Sequence, residues 1–105
     1  MLFRSKADLT GAHLTGVVLT EANLTEASLT MLVLIKAKLP RADLMGANLL
    51  RAQLPKTNLT EANLSKAVLL GVQTLSAPQM CKASTLFETV LAVPLHKGVQ
   101  QQCPQ

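Results

Sequence analysis

From Ala7 to Gly71 the apolar positions recur every five residues. Leucine occupies Leu9, Leu14, Leu19, Leu24, Leu29, Leu34, Leu39, Leu44, Leu49, Leu54, Leu59, Leu64 and Leu69 without a gap. Two places before each leucine stands a small side chain, alanine in ten units, with Val17, Leu32 and Thr57 as the exceptions. The unit reads Ala-(Asp/Asn)-Leu-x-x, as in Ala22-Asn23-Leu24-Thr25-Glu26. A repeat this regular decides the architecture before any single residue does.

A period of five fits neither regular element. In an α-helix five residues advance about 500°, so the leucines would spiral around the axis and share no face. In a flat strand successive side chains alternate, and an odd period sends consecutive leucines to opposite sides. The chain must therefore turn once per unit, so that every leucine points to one axis. A solenoid does this, each coil closing its backbone hydrogen bonds on the next at about 4.8 Å.

These units resemble the pentapeptide-repeat proteins, over about 65 of the 105 residues. The resemblance implies an all-β solenoid, a right-handed four-sided β-helix with four units, or twenty residues, per coil. It places the thirteen leucines and the small residues inside, and the other three positions of each unit in solvent. Thirteen units make a little over three coils, a tower about 15 Å tall. With a twenty-residue coil, Glu21, Arg41 and Glu61 stack as an acid–base–acid ladder, while Lys36 and Lys56 form an unrelieved like-charge pair.

The chain divides into a lead-in at 1–6, the repeats at 7–71 and a C-terminal cap at 72–105. Leu2 is in phase with the alanine column, but Arg4 takes the leucine position and the repeat fails there. Phe3 is placed to fold across the open mouth. Outward Asp8, Asn23, Asp43, Asn48, Asn58 and Asn63 suit tight turns and bond nearby backbone. After Gly71 the register breaks: Thr74 stands where leucine is due. Ser76, Pro78 and Gln79 read as a capped helix start. Met80, Ala83, Ser84, Phe87, Val90 and Leu91 follow one helix face, and Pro94 separates a second short helix reaching Gln102. Two antiparallel helices would cover the last coil, an ending similar to cyanobacterial members of the family. Such a hairpin could bring Cys81 and Cys103 together as a disulfide; two thiols are the alternative.

Candidate chemistry is sparse. His13 lies at an outward repeat position and His96 in the tail, and no Cys-x-x-Cys or His-x-x-x-His pair suggests a metal. An enzyme using Cys81 and His96 is disfavoured because no base is placed beside the cysteine by the pattern. No glycine loop cradles phosphate; Gly11, Gly16, Gly46 and Gly71 fall at turn positions. The expectation is a protein without catalytic residues, cofactor or metal. The longest apolar run, Met31 to Ile35, is far short of the roughly 20 residues a membrane helix needs. The start lacks the apolar core of a signal peptide, which reads as cytoplasmic; a processed periplasmic or thylakoid-lumen form would look the same.

Charge separates the remaining roles. Ten Lys and Arg against six Asp and Glu give net +4. Family members that protect type II topoisomerases resemble DNA and are strongly acidic, so mimicry is disfavoured on sign. Lys36, Lys38, Arg41, Arg51, Lys56 and Lys66 cluster, yet no aromatic residues interleave them for base stacking. Nucleic-acid or topoisomerase-associated binding is thus the alternative, and a rigid scaffold for an unknown protein partner the preferred reading. Met31, Leu50, Val68 and Leu70 map to one side of the tower. With Phe3 and the mouth they mark an interface, here expected to make a homodimer through the N-terminal end.

Overall fold

The structure, a computed structural model, describes residues 6–72, 75–86, 88–91 and 93–103, with backbone alone at 93–96. Phe3 and Phe87 therefore lie outside the described residues. Parallel pairing with a stagger of twenty residues runs through the repeats. Asp8 pairs with Ser28 and Ser28 with Asn48; Val18 pairs with Lys38 and Lys38 with Asn58; Asn23 pairs with Asp43 and Asp43 with Asn63. On one side this pairing is long enough to form two strands, β1 (His13–Thr15) and β2 (Val33–Ile35), in register at Leu14 and Leu34. The chain thus stacks in twenty-residue tiers.

Most units contribute the same backbone bonds. The residue before leucine accepts from the tier below and donates down to it, as in Leu9 N–H to Ser28 O (2.8 Å) and Ser28 N–H to Ala7 O (2.8 Å). Between units the small residue donates back to the leucine of the preceding unit, as in Ala22 N–H to Leu19 O (3.0 Å), which closes the bend. The last residue of every unit from Gly11 to Gly71 has positive φ, glycine or not. Left-handed backbone costs a non-glycine residue about 1–2 kcal/mol. Glu21, Met31, Lys36 and Arg41 adopt it because the ladders above and below fix both ends of the bend. The six outward Asp and Asn residues each accept, through Oδ1, the N–H two positions on, at 2.9–3.1 Å.

The leucine and small-residue columns make the core. From Leu19 to Leu69 every column leucine is buried, as are Ala22, Ala27, Ala37, Ala42, Ala47, Ala52, Ala62 and Ala67. Leu9 and Leu14 in the first tier are half-buried against that core. The seam between the leucines encloses only about 10 Å³ of apolar space, at the limit for a single water and with no polar partner for one. It is packed core rather than a ligand cavity.

Thr57 is the buried polar exception, and the bend beneath it explains why. At Leu34 the i to i+3 bond is absent, since β2 stays extended there. Thr57 Oγ1 donates to that carbonyl at 3.0 Å. Thr57→Val keeps the shape and orphans a buried acceptor, so it is expected to lower stability by about 1–3 kcal/mol in urea unfolding. Thr60→Val, on the surface, is expected to stay within about 0.5 kcal/mol.

The tail departs from the expected pair of helices. α1 (Ala77–Cys81) begins as anticipated: Ser76 is the N-cap, Pro78 sits in the first turn, and Gln79 completes a capping box. It then stops after five residues instead of continuing to Leu91. Residues 84–86 and 89–91 pair with the third tier, Thr85 opposite Asn63 and Val90 opposite Val68, a stagger of twenty-two. The tier below presents a free ladder edge, and helix would leave that edge unpaired. Ser84 N–H instead donates to Ala62 O (2.8 Å), Leu64 N–H to Thr85 O (3.1 Å), Leu69 N–H to Val90 O (2.8 Å) and Val90 N–H to Ala67 O (2.9 Å). The β-branched Thr85, Thr89 and Val90 favour this conformation. Ser84-Thr85-Leu86 and Thr89-Val90-Leu91 are two further repeat units displaced by two residues, and Glu88 has the positive φ of a last position. In the small-residue column, Ser84 Oγ and Thr89 Oγ1 donate to Ala62 O (3.1 Å) and Leu64 O (2.8 Å). α2 (Val93–Gln102) follows and packs on α1. Gly98 allows their approach: a Cβ there would lie 3.2 Å from Ala77 Cβ.

Candidate interaction surfaces

With the leucines turned inward, function falls to the outer positions and the tail. The stacked segments 7–10, 27–30, 47–50, 67–70 and 89–91 form one side of the molecule. Its lower part is polar, with Asp8, Thr10 and Ser28 joined by side-chain hydrogen bonds of 2.7 Å and 2.8 Å. The Thr10 hydroxyl and amide hold the Asp8 carboxyl below the usual carboxylate range. Its upper part is apolar. Leu70 is 40% and Val90 43% exposed, and Met31, at the adjoining corner, is 56% exposed. Leu50 and Val68, expected to be open, are half-buried, because Leu70 stacks over the first and Val90 over the second. Val90 was not legible as part of this face, since the two-residue shift hides its alignment with Val68.

Charged corners behave as their columns dictate. Arg41 reaches Glu21 at 3.4 Å, both side chains being well exposed, and Glu61 follows in the next tier. Such a pair contributes about 0–1 kcal/mol. Lys56 lies above Lys36 through the Lys36 N–H to Pro55 O bond, with no carboxylate between them. Lys56 and Lys82 also border one cleft, to which Lys82 brings a residue that no sequence spacing singled out.

Cys81 and Cys103 are joined as a disulfide, Cα to Cα 4.9 Å, tying the end of α1 to the residue after α2. Cys81 therefore has no thiolate to offer a substrate. His13 is exposed on β1, and the His96 side chain lies outside the described residues. Among the described residues no cluster of three or more His, Cys, Asp or Glu is placed to hold a metal, and no helix is long and apolar enough to cross a membrane.

The profile described as Pentapeptide repeats (8 copies) matches residues 5–39, 33–65 and 42–73. The chain belongs to the pentapeptide-repeat family. Among solved structures, this pentapeptide-repeat protein is similar to one from the Arabidopsis thaliana thylakoid lumen, at 29% identity and TM-score 0.61, over 63% of this chain and 46% of that one. A pentapeptide-repeat protein from the cyanobacterium Cyanothece 51142 matches at 29% identity and TM-score 0.34, over 76% of this chain and 56% of the other. The chain spans about half the length of these structures. No curated protein matches it significantly.

Proposed function

We propose that this pentapeptide-repeat protein is a non-enzymatic scaffold: a right-handed, four-sided β-helix, closed at its C-terminal end by α1 and α2, that offers a rigid side to a protein partner. The observation that carries this reading is the apolar upper part of one side, where Met31, Leu70 and Val90 are exposed around Leu50 and Val68. A contiguous apolar patch beside a polar one has the character of an interface core and rim. A backbone held by ladders on both edges presents it with little ordering cost. The disulfide supports an oxidising compartment, a periplasm or lumen, over the cytoplasm, and the Arabidopsis protein comes from such a lumen.

The test is capture and sedimentation with Leu70→Lys and Val90→Lys. Wild-type chain is expected to retain a protein, or a second copy of itself, that the double variant loses while keeping its circular dichroism. Identical retention and identical sedimentation of the two would refute the role given to this side. Nucleic-acid binding, the other reading, predicts instead a loss on charge reversal at Lys36 and Lys38.

A further inference from the structure

Among the described residues the pairing of the third tier lapses at several donors, at Lys56 and, in the next unit, above Leu59. In the two tiers below, the leucine of this column donates upward, Leu19 to Lys38 O (2.7 Å) and Leu39 to Asn58 O (2.8 Å). Over Leu59 the extended chain is replaced by α1, and the Leu59 N–H makes no hydrogen bond among the described residues. The acceptors at this edge are served: Gln79 Nε2 donates to both Leu54 O and Thr57 O at 3.1 Å. What remains is a donor without an acceptor, which backbone rarely tolerates away from a ligand or water.

Leu59 belongs to the lining of a surface cleft of about 280 Å³, bordered by Lys56 on one tier and Lys82 after α1. No carboxylate lines it, and neither lysine forms an ion pair among the described residues. Glu61 is next in the chain but stands outside the lining. Thr60 N–H and Oγ1 both donate to Asn58 Oδ1, at 2.9 Å and 2.6 Å, so the Asn58 oxygen is occupied and its amide nitrogen is left as a further donor. Both charged groups that line the cleft are cations, and the Asn58 amide adds a donor.

We propose that this cleft is a binding site for a phosphate-like oxyanion, seated on the Leu59 N–H between the Lys56 and Lys82 ammonium groups. Oxyanions take short, charge-assisted hydrogen bonds from such a set. They also relieve the repulsion of two lysines held on one cleft. The volume accommodates phosphate with several waters, each needing about 30 Å³. The site involves neither Leu70 nor Val90 and stands apart from the apolar side.

Titration with inorganic phosphate at constant ionic strength, followed through backbone amide resonances, tests it. The expected result is a saturable downfield shift of the Leu59 amide. Lys56→Gln and Lys82→Gln are each expected to weaken the phosphate Kd about tenfold, and Lys36→Gln, one tier below, to leave it unchanged. A second titration with capped phosphoserine separates the two sources of this chemistry. A Kd equal to or below that of inorganic phosphate assigns a monoester on a larger ligand, and a higher one assigns the free ion. A Leu59 shift that tracks sodium chloride without saturating overturns the site. So does a saturable shift that survives unchanged in the double lysine variant, with the other amides confirming that it is folded.

Discussion

Leu44→Ala is expected to remove about 2–5 kcal/mol of stability. Leu44 sits in the middle tier, 2% exposed, with column leucines above and below it and Ala42 and Ala47 alongside. Burying a leucine contributes about 1.5–3 kcal/mol on its own. The added cost comes from the hole. The tiers are fixed at ladder spacing by Leu44 N–H to Asn63 O (2.8 Å) and Asp43 N–H to Ala22 O (2.9 Å), so the walls cannot collapse around it. Exposed Asn48 is the paired control. Its Oδ1 accepts from Leu50 N–H at 3.0 Å, and serine supplies an oxygen for the same local turn. Asn48→Ser is expected to change stability by no more than about 0.5 kcal/mol. Urea unfolding of both variants gives the comparison; equal midpoint shifts would contradict the inward placement of the leucine column.

The repeats were legible because one constraint, leucine toward a common axis, is imposed thirteen times. Even its exceptions carry meaning once the backbone is seen. Thr57 breaks the alanine column in sequence without apparent reason, since the cause is a carbonyl at Leu34 twenty-three residues away. The tail was less legible. Met80, Ala83, Phe87 and Leu91 satisfy a helical period, and the pattern alone does not distinguish that period from two displaced pentapeptides. Leu86 and Leu91, five apart and each two places after a hydroxyl residue, were the signal. What decides between the readings is non-local: the open edge at Ala62, Leu64, Ala67 and Leu69 rewards extended chain with hydrogen bonds that a helix would not make. The same insertion that shifts the register leaves the Leu59 N–H uncovered. A site that arises from a missing pairing has no motif of its own.

Replacing both cysteines, Cys81→Ala with Cys103→Ala, is expected to cost about 3 kcal/mol. The bond closes a loop of sequence separation 22, and the chain-entropy relation for a loop of that length gives about 3 kcal/mol from restriction of the unfolded chain. The effect is expected to be local as well as global. α1 has five residues and neither helix is basic in its last turn, so neither holds itself. Without the bond, α2 retains its packing on α1 around Gly98 and Ala77 and the contact of Val99 with the core. Hydrogen exchange should therefore accelerate first at Val99 to Cys103, while the Leu44 and Leu49 amides keep their protection until global unfolding. Thiol titration of the unfolded, unreduced protein is the direct check, with no reactive thiol expected before reduction and two after. Two thiols before reduction would show an open tail, and the variant should then melt with the wild type.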